Sequence, residues 1–493
     1  MEKTRFLVRL VVIGWAAAFV MLSMPAASAA APLAVAGPGA SQFTLNFNNR
    51  MRGEFVDWFE AGPPADNSDY AFIANRTQLG VGGKWQWLGG FLQYQHTVLS
   101  GIPHRGVGVG GNYRGQTNSD FQEQGWLRQG WLQAELAGGP VRATAQGGRF
   151  RYLDGTEISS KDPSLDWLRK ARIAERLIGP FDFTHIGRSF DGGRVALDTE
   201  NINLTGFYLI PTSGGFEISA GRHMGIDLGG LSLAWKDSER FPGLQARTFW
   251  IHYDDGRPAD RDVVAVDNRP AAVRGADRGR IRVETFGADM IRVQSVGPGI
   301  WDSLAWAAAQ TGDWQALHQN SWAYAVETGY KLPDVPWTPW LRLAFFRSSG
   351  DDDPGDGRHG TFFQLLPTAR LYAFTPFYNL MNTQDLMLQL LAKPFGVLST
   401  RLDLHWLRVT EGRDLLYAGG GATKRDSFGF GGTPAAGARE VAYVVAWTVG
   451  YALSGNVDLQ AYVSHAFGQA AVRNGFPRDH DLTYGFLEAT LSF

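Results

Sequence analysis

The chain has 493 residues, of which 61 are glycine, 13% aromatic, 19% charged and none cysteine; its formal net charge is −2 and its mean hydropathy −0.18. A secreted chain of this size without cysteine is not a disulfide scaffold. A mildly acidic balance also argues against a nucleic-acid partner, which calls for a basic patch.

Lys3, Arg5 and Arg9 precede an apolar run from Leu10 to Leu22, and Ala27-Ser28-Ala29 supplies small residues for cleavage. This is the pattern of a signal peptide over residues 1–29. A membrane helix would need about 20 apolar residues, and Pro25 interrupts the run first. No linker, low-complexity segment or long-period repeat divides the remainder, so residues 43–493 read as one body. What recurs is a short apolar/polar alternation. Phe43, Leu45, Phe47, Met51 and Phe55 share one parity, while Thr44, Asn46, Asn48, Arg50, Arg52 and Glu54 share the other. Side chains alternate faces on a strand, so one face meets lipid or a core and the other meets water.

The pattern predicts strands near 43–55, 70–81, 84–98, 125–137, 141–150, 193–199, 201–210, 228–236 and 244–254. The second half adds 280–294, 301–310, 317–331, 338–348, 382–393, 398–409, 439–454, 456–467 and 482–493. Links after even strands are short (Gly82-Gly83, Gly138-Gly139-Pro140, Glu200, Gly455), whereas most links after odd strands are long, as at 151–192 and 349–381. Short periplasmic turns, long outer loops and an even strand count predict an all-β fold: an antiparallel transmembrane β-barrel of about 18 strands in a Gram-negative outer membrane. A soluble β-helix or sandwich would have shorter strands and no alternation of loop length. Tyr70, Trp85, Trp87, Trp337, Trp340, Trp406, Trp447 and Tyr451 fit aromatic girdles against the outer-membrane lipid. Trp301 or Trp314 is the better candidate for a sugar-stacking platform.

Residues 176–195 read Arg-Leu-Ile-Gly-Pro-Phe-Asp-Phe-Thr-His-Ile-Gly-Arg-Ser-Phe-Asp-Gly-Gly-Arg-Val. The block resembles the RLIGP…GRSFDG signature of the alginate export (alginate porin) family. Gly350–Gly357, followed by Thr361–Thr368, looks like that family's acidic loop. The resemblance spans essentially the whole mature chain. It implies an eighteen-stranded barrel that passes an anionic polysaccharide outward, with a last strand ending in an aromatic sorting signal, here Phe493. It also allows a periplasmic secretion scaffold as a partner. The chain departs from the family in having Gly148-Arg149-Phe150 where Gly-Arg-Gln is common, and in about 20 residues interposed before Arg176. These include Leu165-Asp166-Trp167-Leu168-Arg169-Lys170, and the stretch 165–178 looks helical and charged on both signs, read as part of a loop or plug.

Parity places Arg50, Arg52, Arg76, Arg142, Arg194, Arg282, Arg342 and Arg401 on polar, lumen-facing sides, with Glu54, Glu284, Glu327 and Glu488 as partners. Arg149, Arg188 and Arg194 flank or lie in the matched block, and Asp182 and Asp191 among them could grade the field. Guanidinium grips carboxylates bidentately, which suits a uronate polymer. Pairing for stability is the competing explanation for each arginine. Asp351, Asp353 and Asp356 could hold Ca²⁺, but position 362 is Phe where an EF-hand needs Glu, and a solvated loop competes. Asp479-His480-Asp481 reads as an exposed loop. With no nucleophile elbow and no zinc signature, no enzyme and no cofactor are expected. The expected function is an anion-selective channel for an alginate-like polymer, with a general or small-anion porin as the alternative.

Overall fold

The computed structural model describes residues 33–36, 42–60, 67–368 and 372–493. The expected signal peptide lies outside them. The first half of the wall is β1 (Gln42–Asp57), β2 (Asp69–Trp85), β3 (Leu88–Ser100), β4 (Phe121–Gly138), β5 (Val141–Phe150), β6 (Phe190–Asp198), β7 (Ile202–Pro211), β8 (Ile226–Trp235) and β9 (Leu244–Asp255). The second half is β10 (Ile281–Val296), β11 (Gly299–Trp314), β12 (Leu317–Lys331), β13 (Trp340–Ser348), β14 (Thr383–Phe395), β15 (Leu398–Val409), β16 (Glu440–Ala452), β17 (Val457–Gly468) and β18 (Asp481–Ser492). Each pairs antiparallel with its neighbours in sequence, and β1 closes on β18 from Asn48↔Ser492 to Asp57↔Thr483. Closure leaves no unpaired strand edge to face lipid. The expected eighteen strands are the observed ones, most with ends moved by a few residues.

Two faces follow from the alternation. On β2, Tyr70, Phe72, Ala74, Arg76 and Gln78 are buried towards the lumen, while Ile73, Leu79 and Val81 are exposed outward. The lumenal face carries apolar residues because extracellular loops fold back onto it. One apolar cluster joins Phe150, Leu165, Leu168, Trp306, Phe346 and Phe363; another joins Val56, Phe72, Phe181, Phe216, Tyr462 and Phe486. For the same reason Tyr70 and Trp340 point inward and are buried, whereas Tyr451 is buried on the outward parity of Trp447, and Trp85, Trp87, Trp337, Trp406 and Trp447 are exposed girdle residues. The Gly82-Gly83 turn is also corrected. Both glycines lie in β2, paired with Thr44 and Phe43, and the chain reverses at Gln86, whose φ is 51°.

One irregularity matters for the site. Between β3 and β4, Gln93 pairs with Gln129 but Tyr94 pairs with Leu127, so Arg128 is an extra residue. A bulge of this kind re-aims a side chain, and here it turns Arg128 into the lumen, fully buried.

Candidate functional site

The β5–β6 loop, residues 151–189, crosses the barrel and is gripped by two walls. It carries a short helix, α1 (Pro163–Leu168). Asp162 caps it by accepting from the amides of Ser164 (2.8 Å) and Leu165 (3.0 Å). Residues 169–173 continue as a wider turn. Arg169 reaches Asp289 on β10 at 3.0 Å and Gln245 on β9 at 2.8 Å. Arg172 grips Glu327 on β12 through two bonds of 2.8 and 2.9 Å. Arg342 on β13 completes this group, at 2.9 Å from Glu327 and 2.6 Å from Asp302. Arg176 lies against the rings of Trp306 and Tyr372.

Residues 182–186 meet the opposite wall. Arg50 donates to the carbonyls of Asp182 (2.8 Å) and Thr184 (2.6 Å), and Arg52 donates to that of Phe183 (3.0 Å). Gln95 and Thr97 bind the His185 carbonyl. The Asp182 carboxylate is the hub: Arg128 approaches at 2.5 Å and Arg76 at 3.8 Å, with Arg151 in direct contact. Burial alone would raise its pKa. The guanidiniums of Arg151, Arg128, Arg76 and Arg50 outweigh that and hold the carboxyl well below its usual range. Burial and the neighbouring arginines push His185 far down, so its 3.2 Å contact to Glu54 is the hydrogen bond of a neutral imidazole rather than an ion pair. Gly187, with φ of 67°, is required here. A Cβ at this position would lie 2.7 Å from both the Arg128 and Asp182 side chains.

Two further loops close over the crossing. In the β13–β14 loop, Thr368 donates to Glu175, whose carboxyl burial raises to about 7. In the β15–β16 loop, Arg188 donates to the carbonyl of Gly420 at 2.7 Å. It has no carboxylate partner among the described residues, and burial lowers its pKa to about 9. Asp414 accepts from Thr361 (2.6 Å), Tyr417 (2.8 Å) and the Asp351 amide (3.0 Å), yet burial still raises it to about 6. The acidic loop spends its carboxylates locally: Asp351 accepts from the amides of Asp353 and Gly360, Asp353 from Gly355, and Asp356 from Arg358.

The structure therefore brings Arg50, Arg52, Arg76 and Asp182 into one group, with Glu54 and with Glu488 at 2.6 Å from Arg52. Arg342 belongs to the opposite group, and Arg401 pairs with Asp403 at 2.7 Å. Arg142 and Arg194 face the lumen nearer the periplasmic turns. The Arg142 side chain is 56% exposed, and Arg194 has no ion-pair partner among the described residues.

Three expected pore residues face the other way. Arg149 pairs with Gly130 and Asp191, on the face of Leu92 and Leu132, so Arg149 and Asp191 form their bidentate pair (2.7 and 2.6 Å) on the outer wall. Arg282 also points outward, to Asp254 at 3.3 Å, and Glu284 likewise bonds His252 and Trp250 outside. Above the lipid belt the outer face meets water, so polarity there no longer marks the lumen. Trp301 faces outward to Thr328, and Trp314 is lumenal but buried against His359. Sequence reading missed Arg128, which the bulge displaces from simple parity, and Arg151, just past the end of β5. It also missed Arg176, although that residue opens the matched block, and Arg172, one helical turn before it.

The alginate export family model matches residues 118–482. No curated protein matches the sequence. Among solved structures, OccK9 (OpdG) of Pseudomonas aeruginosa superposes with TM-score 0.55 at 10% identity, covering 91% of this chain and 98% of that one. OccAB1 of Acinetobacter baumannii gives 0.54 at 9% identity over 91% and 97%. OpdK of Pseudomonas aeruginosa, solved with vanillate, gives 0.53 at 8% over 91% and 98%. At such identities the likeness is one of fold. The family match runs from the β3–β4 loop into the last strand and includes the whole lumenal crossing, and on that extent this protein belongs to the alginate export family of outer-membrane channels.

Proposed function

We propose that the channel passes an anionic, uronate-type polysaccharide across the outer membrane by passive, anion-selective conduction, without catalysis or cofactor. The observation that carries this reading is the excess of guanidinium around Asp182. Arg50, Arg76, Arg128 and Arg151 converge on one carboxylate, and Arg151 keeps 39% of its side chain exposed. A polyuronate presents one carboxylate per sugar, which a guanidinium can grip bidentately. Conduction also requires release, and Asp182 supplies it by competing for the same donors. Arg142 and Arg194 extend the cationic path towards the periplasm. A secretion scaffold on that side is compatible with this direction of traffic.

The second reading is passage of small anions. It is favoured by the extent to which the 151–189 and 410–439 loops and the described residues of the 349–382 loop fold into the lumen. Single-channel recording in planar bilayers separates the two. Anion preference that falls in Arg128→Ala and Arg151→Ala, with block by oligouronates and none by neutral glucan, supports polymer passage. Anion preference with free permeation of monomeric carboxylates and indifference to oligouronates supports the small-anion channel. Absence of anion preference overturns both.

A further inference from the structure

The outer wall from β2 to β7 is not smooth. Gly83 pairs with Gly90, Gly90 with Leu132, Leu132 with Gly147, Gly147 with Gly193, and Val195 with Gly206, all on the outward face. These pairs leave two concavities, of about 580 Å³ over β5–β7 and about 540 Å³ over β1–β5, which share Gly147. The flanks are Val81, Leu92, Leu132, Val195 and Tyr208, each exposed outward. Missing side chains give this diagonal furrow its shape, but they do not name an occupant.

The charge at its upper end does. Arg149 lies two residues beyond Gly147, and Asp191 two residues before Gly193, so their ion pair caps the furrow at the outer interface. His223 contacts Asp191 at 2.5 Å, and Arg425 donates to the His223 carbonyl. Arg222 is exposed next to His223. Lys424 has Asp426 at 3.7 Å, but neither Arg222 nor Arg425 has an ion-pair partner among the described residues. Cations with no counter-charge above an apolar trough in the lipid belt complement an amphiphile with an anionic head and several acyl chains. Guanidinium suits phosphate in particular.

We propose that this furrow binds a phosphorylated, multiply acylated glycolipid of the outer leaflet, with phosphate against Arg222 and Arg425 and acyl chains along the glycine floor. The site lies on the opposite side of the wall from the lumen and is independent of what the channel carries.

The test uses the full-length mature barrel in phosphatidylcholine nanodiscs, titrated with bis-phosphorylated lipid A and read by native mass spectrometry. Arg222→Ala/Arg425→Ala removes the head contacts, and Gly147→Leu/Gly193→Leu fills the trough. The backbone has room for the second pair: a Cβ at Gly147 meets nothing nearer than 3.9 Å, one at Gly193 nothing nearer than 3.4 Å, and neither glycine has a positive φ. Each double variant is expected to weaken lipid A binding at least tenfold while single-channel conductance stays unchanged. Millimolar inorganic phosphate should leave lipid A bound. Wild-type affinity in either double variant overturns the proposal, and so does displacement by phosphate, which would mark an anion site without an acyl furrow.

Discussion

On the β9–β13 wall, Arg169, Arg172, Arg247 and Arg342 meet Asp154, Glu157, Asp289, Asp302 and Glu327. On the β1–β4 side, Arg50, Arg52, Arg76, Arg128 and Arg151 share Asp182, Glu54 and Glu488. Residue types are alike on the two walls, but the first group pairs every one of its four guanidiniums within a set of five carboxylates, whereas the second sets five guanidiniums against three carboxylates. Among buried ions such pairing is a structural matter: the partners offset each other's desolvation and leave no cation in surplus. Surplus cations around a partly exposed carboxylate project a field into the lumen and are stabilised by loop carbonyls in place of counter-ions. The difference separates arginines that hold the loop from arginines that can act on an anion.

The largest effect should come from breaking the fully paired side. Glu327→Ala strands the buried guanidinium of Arg172 and leaves Arg342 with Asp302 alone, and is expected to cost about 3–5 kcal/mol, read as a lower urea midpoint of the refolded barrel. A loss below about 1 kcal/mol would mean that this wall does not carry the loop. On the surplus side, Asp182→Asn should raise anion over cation permeability severalfold, because it removes the carboxylate on which four arginines converge. An unchanged ratio would place the ion path elsewhere. Gly187→Ala should cost about 1–2 kcal/mol from its left-handed backbone alone and should also part Arg128 from Asp182, giving an intermediate loss of selectivity.

The pH dependence comes from the overlying loop. The folded-state pKa of Asp414 is raised to about 6, above the usual carboxylate value. Its ionisation therefore costs stability in full above about pH 6, and the cost disappears as pH falls towards 4. The hairpin formed by Leu415–Gly419 and Phe430–Pro434 should accordingly be held more firmly at pH 5 than at pH 7.5, with less open-channel noise. Asp414→Asn should be quiet at both values. Asp182 has the opposite sign: its depressed pKa contributes stability at neutral pH that is lost only in strong acid. The smallest effect is expected of Arg282→Ala, within about 0.5 kcal/mol and without change in selectivity. A clear fall in anion preference would return that residue to the lumen.

Alternation and turn spacing by themselves determined the barrel, its eighteen strands and the two faces of β1 and β2, because a strand's side-chain period is two and lipid tolerates no unpaired edge. The matched block at 176–195 located the crossing loop, with Arg188 and Asp182 in it. What parity could not settle was where polarity stops meaning lumen. Arg149, Asp191 and Arg282 lie at or above the lipid belt, where water bathes the outer face too, and Tyr70 and Trp340 point inward because folded-in loops supply an apolar surface inside. Arg128 reaches the site only through a bulge, which a one-residue shift in pairing creates and no local pattern announces. Only tertiary structure decided which arginines are cancelled by carboxylates and which are left in surplus, because a charge's effect depends on its neighbours in space, here from β1, β2, β4 and a loop more than a hundred residues from the first of them.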